Sequence, residues 1–207
     1  MQTEPNETNP WVPEAPRVER RAAVDTRPSY LRLGPSQPGR GRVPPPVSGG
    51  LPLWTPRHGP VGGWWWVACH GGAGTTTLAL AAGGSDAERR GWPNAERPPR
   101  VPAVLVARTH ARGLTAAQEA AQQWASGAVP GVELLGLVAI ADAPGKLPKV
   151  LRDALRFVAG GVPRVWQVPW VEEWRTGTPP PRGPAVTATV RLAADLGRLV
   201  ARQREYP

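Results

Sequence analysis

The sequence predicts an α/β fold: a parallel sheet of about four to five strands with flanking helices, a three-layer sandwich. Three observations carry this. Apolar runs mark strands at 64–69, 101–107, 132–141 and 163–168, the first apolar on both faces, as a buried parallel strand is. Segments of helical periodicity separate them. Residues 1–60, with 13 Pro and 6 Gly, carry no sustained periodicity and read as a disordered tail before the domain.

The tail is rich in arginine and contains Pro44-Pro45-Pro46, a polyproline II signal. Trp11, Tyr30, Leu31 and Trp54 are its isolated apolar points. The domain is expected over 61–175 and opens with a strand from Trp64 to Cys69. A first helix runs from about Gly74 to Ala82 and stops at Gly83-Gly84. Residues 83–100 are polar, hold Pro93, Pro98 and Pro99, and read as one long loop. After the strand Val101 to Ala107, Thr115 and Gln118 have the spacing of a capping box for a helix ending near Ser126-Gly127. Val132 to Ala141 is the third strand. Pro148 then opens a helix with the stripe Leu147, Val150, Leu151, Ala154, Leu155 and Val158, ending at Gly160-Gly161. The fourth strand is Pro163 to Val168. Residues 176–184 form a Pro/Gly hinge within a C-terminal part, 176–207, whose amphipathic helix, about Val186 to Arg204, packs on the domain. On that helix Leu192, Leu196, Leu199 and Val200 form the apolar face, and Arg191, Asp195, Arg198 and Arg202 the polar one.

The net charge of +9 invites a polyanion partner. Of 25 basic residues, however, 23 are Arg and only Lys146 and Lys149 are Lys, which with abundant Ala, Gly and Pro reads as GC-rich codon usage. The single cysteine, Cys69, excludes an internal disulfide. No apolar run approaches the roughly 18 residues of a membrane span, and Met1 to Asn6 is polar with no signal-peptide core. A cytoplasmic, bacterial protein is expected.

The chemistry centres on a glycine turn between the first strand and first helix, His70-Gly71-Gly72-Ala73-Gly74-Thr75-Thr76-Thr77. Glycines let backbone N–H groups converge on an anion, and the following helix adds the positive end of its dipole. A P-loop reads G-x-x-x-x-G-K-[ST]. Here Gly74, Thr75 and Thr76 fill the last three places and Cys69 stands at the first glycine.

The turn resembles the deviant P-loop of the ParA/MinD group of ATPases, K-G-G-x-G-K-T-T, with both lysines replaced: His70 stands at the signature lysine and Thr75 at the phosphate-gripping one. Leu105 to His110 and Pro169 to Arg175 look similar to runs in a degenerate, uncharacterised actinobacterial branch of that group. The resemblance implies a P-loop-type fold in which His70, Gly71, Gly72, Gly74, Thr75 and Thr76 surround a nucleotide phosphate, with Thr76 as the magnesium ligand. ATP and Mg are then possible cofactors.

Open parallel sheets bind ligands beyond the carboxyl ends of their strands. The glycine turn, the group Arg108, Thr109, His110 and Arg112, the group Asp142, Pro144 and Lys146, and the pair Pro169 and Trp170 should therefore converge at one rim. Arg108, Arg112 or Lys146 could replace the lost lysine charge. Asp142 reads in three ways. It matches the acidic residue of the family's D-x-P-P-G segment, or falls on the later strand whose Asn contacts adenine, or caps the turn before the third helix. The chain order favours the second, in which case the D-x-P-P-G strand is missing. His58, His70 and His110 lack metal-ligand spacing. Cys69 and His70, as neighbours on a strand, point apart. Trp166, Trp170, Trp174 and Arg175 form a candidate interaction surface.

The expected function is a degenerate ParA/MinD-like protein without catalytic residues, acting by binding in plasmid, conjugative-element or cell-positioning systems through a protein partner. Two alternatives stand beside it: a weakly active ATPase that uses a non-standard cation, and a DNA-associated protein that uses its arginines.

Overall fold

The computed structural model describes residues 29–39, 42–47, 50–87, 90–95, 99–175 and 184–205. In chain order the elements are β1 (Leu53–Trp54), β2 (Trp65–Ala68), α1 (Thr75–Ala82), β3 (Ser85–Asp86), β4 (Trp92–Pro93), β5 (Val101–Arg108), α2 (Ala111–Ala125), β6 (Val132–Ile140), α3 (Lys149–Ala159), β7 (Val165–Val168) and α4 (Pro184–Glu205). Among the described residues no helix is long and apolar enough to cross a membrane.

Five strands form one all-parallel sheet in the order β3-β2-β5-β6-β7. α1 and α4 pack together on one face, and α2 and α3 on the other. Strand alternation feeds both layers: Val67, Leu105 and Leu137 face α2 and α3, while Trp66, Val104, Val106 and Val138 face α1 and α4. β6 keeps this alternation through a bulge, since Ala103 pairs with Leu134 and Val104 with Gly136. Gly136 has φ 156°, and a Cβ there would lie 2.4 Å from the Arg164 carbonyl oxygen and 2.7 Å from the Trp166 ring. Only glycine fits.

The chain leaves β2 through α1 to β3 on one side, then returns past β2 to β5 on the other. The winding thus reverses between β2 and β5, and the loops that follow these two strands lie side by side at the carboxyl rim, where doubly wound sheets bind ligands.

Several local expectations change. α2 begins four residues before Thr115. His110 is its N-cap, with Nδ1 accepting the Gly113 N–H at 2.9 Å, and Thr115 lies inside the helix with its hydroxyl on the Ala111 carbonyl. The 83–100 stretch holds the fifth strand of the sheet, β3, and also β4, which pairs in parallel with β1. On α3 the buried stripe is Leu155 and Val158, flanked by Leu147, Leu151 and Ala154, whereas Val150 is exposed. Of the proposed hinge, 176–183 lies outside the described residues.

Residues 1–28 of the expected tail also lie outside the described residues. The part from Ser29 to Pro60 that is described lies on the domain as a strap, held by buried polar groups. Asp195, assigned to the polar face of the last helix, is 2% exposed. Its Oδ2 accepts the Ser29 N–H (2.9 Å), the Ser29 hydroxyl (2.6 Å) and the Trp166 indole N–H (3.1 Å), and its Oδ1 pairs with Arg198. Burial alone would raise the Asp195 carboxyl; these donors outweigh it and hold the group below the usual carboxylate value. Tyr30 packs edge-on against Trp166, and Leu31 exchanges two 3.0 Å backbone hydrogen bonds with Val165, covering the edge of β7. Further on, the Gly39 N–H reaches the Ala125 carbonyl at the end of α2. The buried Gln123 side chain then clasps Leu51, accepting its N–H at 2.8 Å and donating to its carbonyl at 2.9 Å. Trp54 stacks edge-on against Trp65. The strap lacks periodicity because each contact is made by one residue to a distant partner.

Candidate functional site

The glycine turn leaves β2 at Cys69, whose N–H continues the pairing to the Val106 carbonyl at 3.0 Å. Gly72 has φ 74° and Gly74, the N-cap of α1, has φ 103°, conformations that favour glycine. Ala73 is buried between them. A Cβ on Gly74 would press against Ile140 Cδ1 at 3.0 Å, so the helix entry sits tightly on β6. A Cβ on Gly71 would meet nothing within 4 Å.

His70 ties this turn to β5. Its Nε2 accepts the Arg108 backbone N–H at 3.0 Å, and its Nδ1 donates to the Gly71 carbonyl at 2.9 Å. Only the neutral ring protonated on Nδ1 satisfies both. Burial lowers the His70 pKa below its ordinary value and His110 and Arg108 add to this, against the hydrogen bond to the Gly71 carbonyl and the charge of Asp142, which raise it. His70 thus braces the turn and has no spare N–H for an anion. Its ring centroid lies 4.9 Å from that of His110. Because His110 Nδ1 accepts from Gly113, its neutral ring carries the proton on Nε2.

Arg108 donates from its guanidinium to the Ala141 carbonyl at 3.0 Å, so β5 and β6 are bridged at the rim. The Thr109 hydroxyl accepts the Asp142 N–H at 3.2 Å, while the Thr109 N–H reaches the Ile140 carbonyl at 3.0 Å. These bonds fix the backbone at Asp142 and leave its side chain exposed.

Two adjoining cavities result. One, about 610 Å³, is lined by His70, Gly71, Gly72, Arg108, His110 and Asp142, with Trp170, Glu172 and Arg175 opposite. The other, about 600 Å³, lies over the ends of β6 and β7 and is mostly apolar; Ala139, Pro144, Leu147, Leu151, Val168 and Pro169 form it, with Lys146 and Gln167. His110, Asp142, Ala143, Pro144 and Trp170 border both. The loops after four strands therefore meet at one rim.

Residues 62–194 match the family of unknown function DUF6668. The chain belongs to that family. No curated protein and no solved structure matches it. The matched span contains the whole rim groove of this DUF6668 domain, and the described strap residues between Ser29 and Pro60 precede it.

Other candidates lie elsewhere in the domain. Thr75 is buried. The Thr76 hydroxyl donates at 2.6 Å to Asp86 at the end of β3, away from the groove. Asp86 escaped the sequence reading because a two-residue strand has no periodicity. Arg112 is exposed and lines neither cavity. The tryptophan surface divides. Trp166 is 2% exposed and belongs to the core, and Trp174 packs half-buried against it. Trp170 stays at the groove, its indole N–H on Glu172 at 2.9 Å, with the Arg175 guanidinium 5.7 Å over its ring and 3.7 Å from Glu172. Cys69 is buried, and burial pushes its thiol up to about 12, which disfavours the thiolate.

Proposed function

We propose that this chain is a ParA/MinD-like P-loop protein without catalysis, which binds a phosphorylated, nucleotide-like ligand in the rim groove and acts through that binding. The observation that carries this reading is the meeting of the Gly71-Gly72 turn with Arg108 and His110 in one cavity at the switch point of the sheet. The turn and the side chains offer donors to phosphate oxygens, and the adjoining apolar hollow suits a planar group. The groups that transfer chemistry would need are otherwise engaged: Thr75 is buried, Thr76 is bonded to Asp86 and His70 is held neutral. Trp170 and Arg175 at the groove mouth suit a protein partner that senses occupancy. A regulatory part in plasmid, conjugative-element or cell-positioning systems is consistent with the loop resemblance.

Calorimetric titration of the full chain with nucleotides, with and without magnesium, tests the reading. Gly71→Asp places a carboxylate where a Cβ meets no neighbour, so the fold should survive and anion binding should vanish. Unchanged ligand affinity in folded Gly71→Asp would rule out this groove.

A further inference from the structure

We infer that the groove's ligand is a nucleoside phosphodiester, a phosphate with a single negative charge, and not a terminal mono- or triphosphate; this rests on the nucleotide-binding reading above. Charge and hydrogen-bond capacity both lead here. In the polar cavity the cations Arg108 and Arg175 face the carboxylates Asp142 and Glu172, so its formal charge is balanced. Both cations already have partners, Arg108 on the Ala141 carbonyl and Arg175 on Glu172 and the Trp170 face. Lys146, on the adjoining hollow, adds one positive charge. A terminal phosphate brings close to two negative charges near neutral pH, and a triphosphate three to four. P-loops that hold a triphosphate set a lysine and a magnesium ion beside it, and neither loop lysine is present here. A diester brings one, and its two free oxygens need only a few donors, such as Arg108 and the Nε2–H of His110, both lining the cavity.

The exposed carboxylate of Asp142 is then a recognition element, an acceptor for a ribose hydroxyl or an exocyclic amino group of a base, while Glu172 holds the Trp170 indole and Arg175 in place. Asp142 borders both cavities, between the seat for the phosphate and the apolar hollow that would hold the base. With a dianion in place, both carboxylates would repel it. Cavities of about 600 and 610 Å³ are each large enough for one nucleoside. Cyclic mononucleotides and linear dinucleotides share this chemistry and differ in whether one cavity or both are filled.

The test is a calorimetric series on the full chain with 3′,5′-cyclic AMP, 3′,5′-cyclic GMP, the dinucleotides ApA and GpG, AMP, and ATP with magnesium. At least one diester should bind about tenfold or more tighter than AMP and MgATP. A cyclic nucleotide alone would indicate one filled cavity, and a dinucleotide preference both. Asp142→Asn with Glu172→Gln should narrow or reverse the preference, because it removes the two repelling charges. AMP or MgATP binding as tightly as every diester overturns the inference and leaves the nucleotide reading intact. Binding of none of the six to the folded chain overturns both.

Discussion

His70 Nε2 accepts the Arg108 backbone N–H at 3.0 Å, so a side chain from the glycine turn completes the backbone of the strand beside it. Removing the ring leaves that N–H without its acceptor and frees the turn. His70→Ala is expected to cost about 1–2 kcal/mol in denaturant unfolding and to raise exchange of the Arg108 amide. An unchanged midpoint with unchanged exchange at Arg108 would show the contact to be idle.

The burial of the His70 ring sets a pH dependence. The folded pKa of His70 lies below its ordinary value of 6.5, so between the two values the unfolded chain binds more protons. The stabilisation is complete above 6.5 and is lost as pH falls through the lowered folded value. Asp195 has the same sign in a separate window, since its carboxyl is held below 3.8 and its contribution fades only as pH drops beneath that value. Melting temperature should therefore fall in two stages on acidification. His70→Gln should remove the upper stage alone, and a single stage in the native chain would contradict the assignment.

The strap is expected to stabilise the domain. Asp195→Asn removes the charge that holds Ser29, Trp166 and Arg198, and should cost about 2–4 kcal/mol. Gln123→Leu strands both polar groups of Leu51 and the Trp92 indole, which Gln123 Oε1 also accepts at 2.9 Å, with a cost in the same range. Deleting residues 1–60 should lower the melting temperature by several degrees. Losses within about 0.5 kcal/mol for both variants would return the strap to a loosely attached tail.

The contrast between strap and sheet explains what the sequence made legible. β5 and β6 are eight and nine residues long and almost wholly buried, so their apolar runs announce them. β3 is two residues long and is specified by its neighbour, Trp65 and Trp66 pairing with Ser85 and Asp86. Thr115 and Gln118 have capping-box spacing, yet His110 three residues before Gly113 makes the actual cap, because the rim holds that ring. Asp195 sits three residues from Arg198, a spacing that suggests a solvated pair until Ser29 and Trp166 arrive from far along the chain. At the rim, convergence follows from parallel strands alone, so Arg108 and Asp142 were foreseeable as neighbours. The engagement of His70 and Thr76 with protein partners was not, since it depends on atomic positions.

Hydrolysis is the sharpest test of the functional reading. Phosphoryl transfer depends on positioning and on positive charge around the transferred group. Losing one strong electrostatic contact of this kind costs on the order of 10² to 10³ in rate, and both loop lysines are absent. The purified chain is expected to hydrolyse neither ATP nor GTP above background. Restoring the lysines as His70→Lys with Thr75→Lys should not rescue turnover. The first change removes the acceptor of the Arg108 N–H, and the second puts an ammonium at a buried position, so the variant should lose stability as well. Steady-state ATPase activity in the native chain, abolished by Thr76→Ala, would overturn this reading. The Thr76–Asp86 hydrogen bond would then have to open during turnover, making that pair the first place to look for a metal-dependent change.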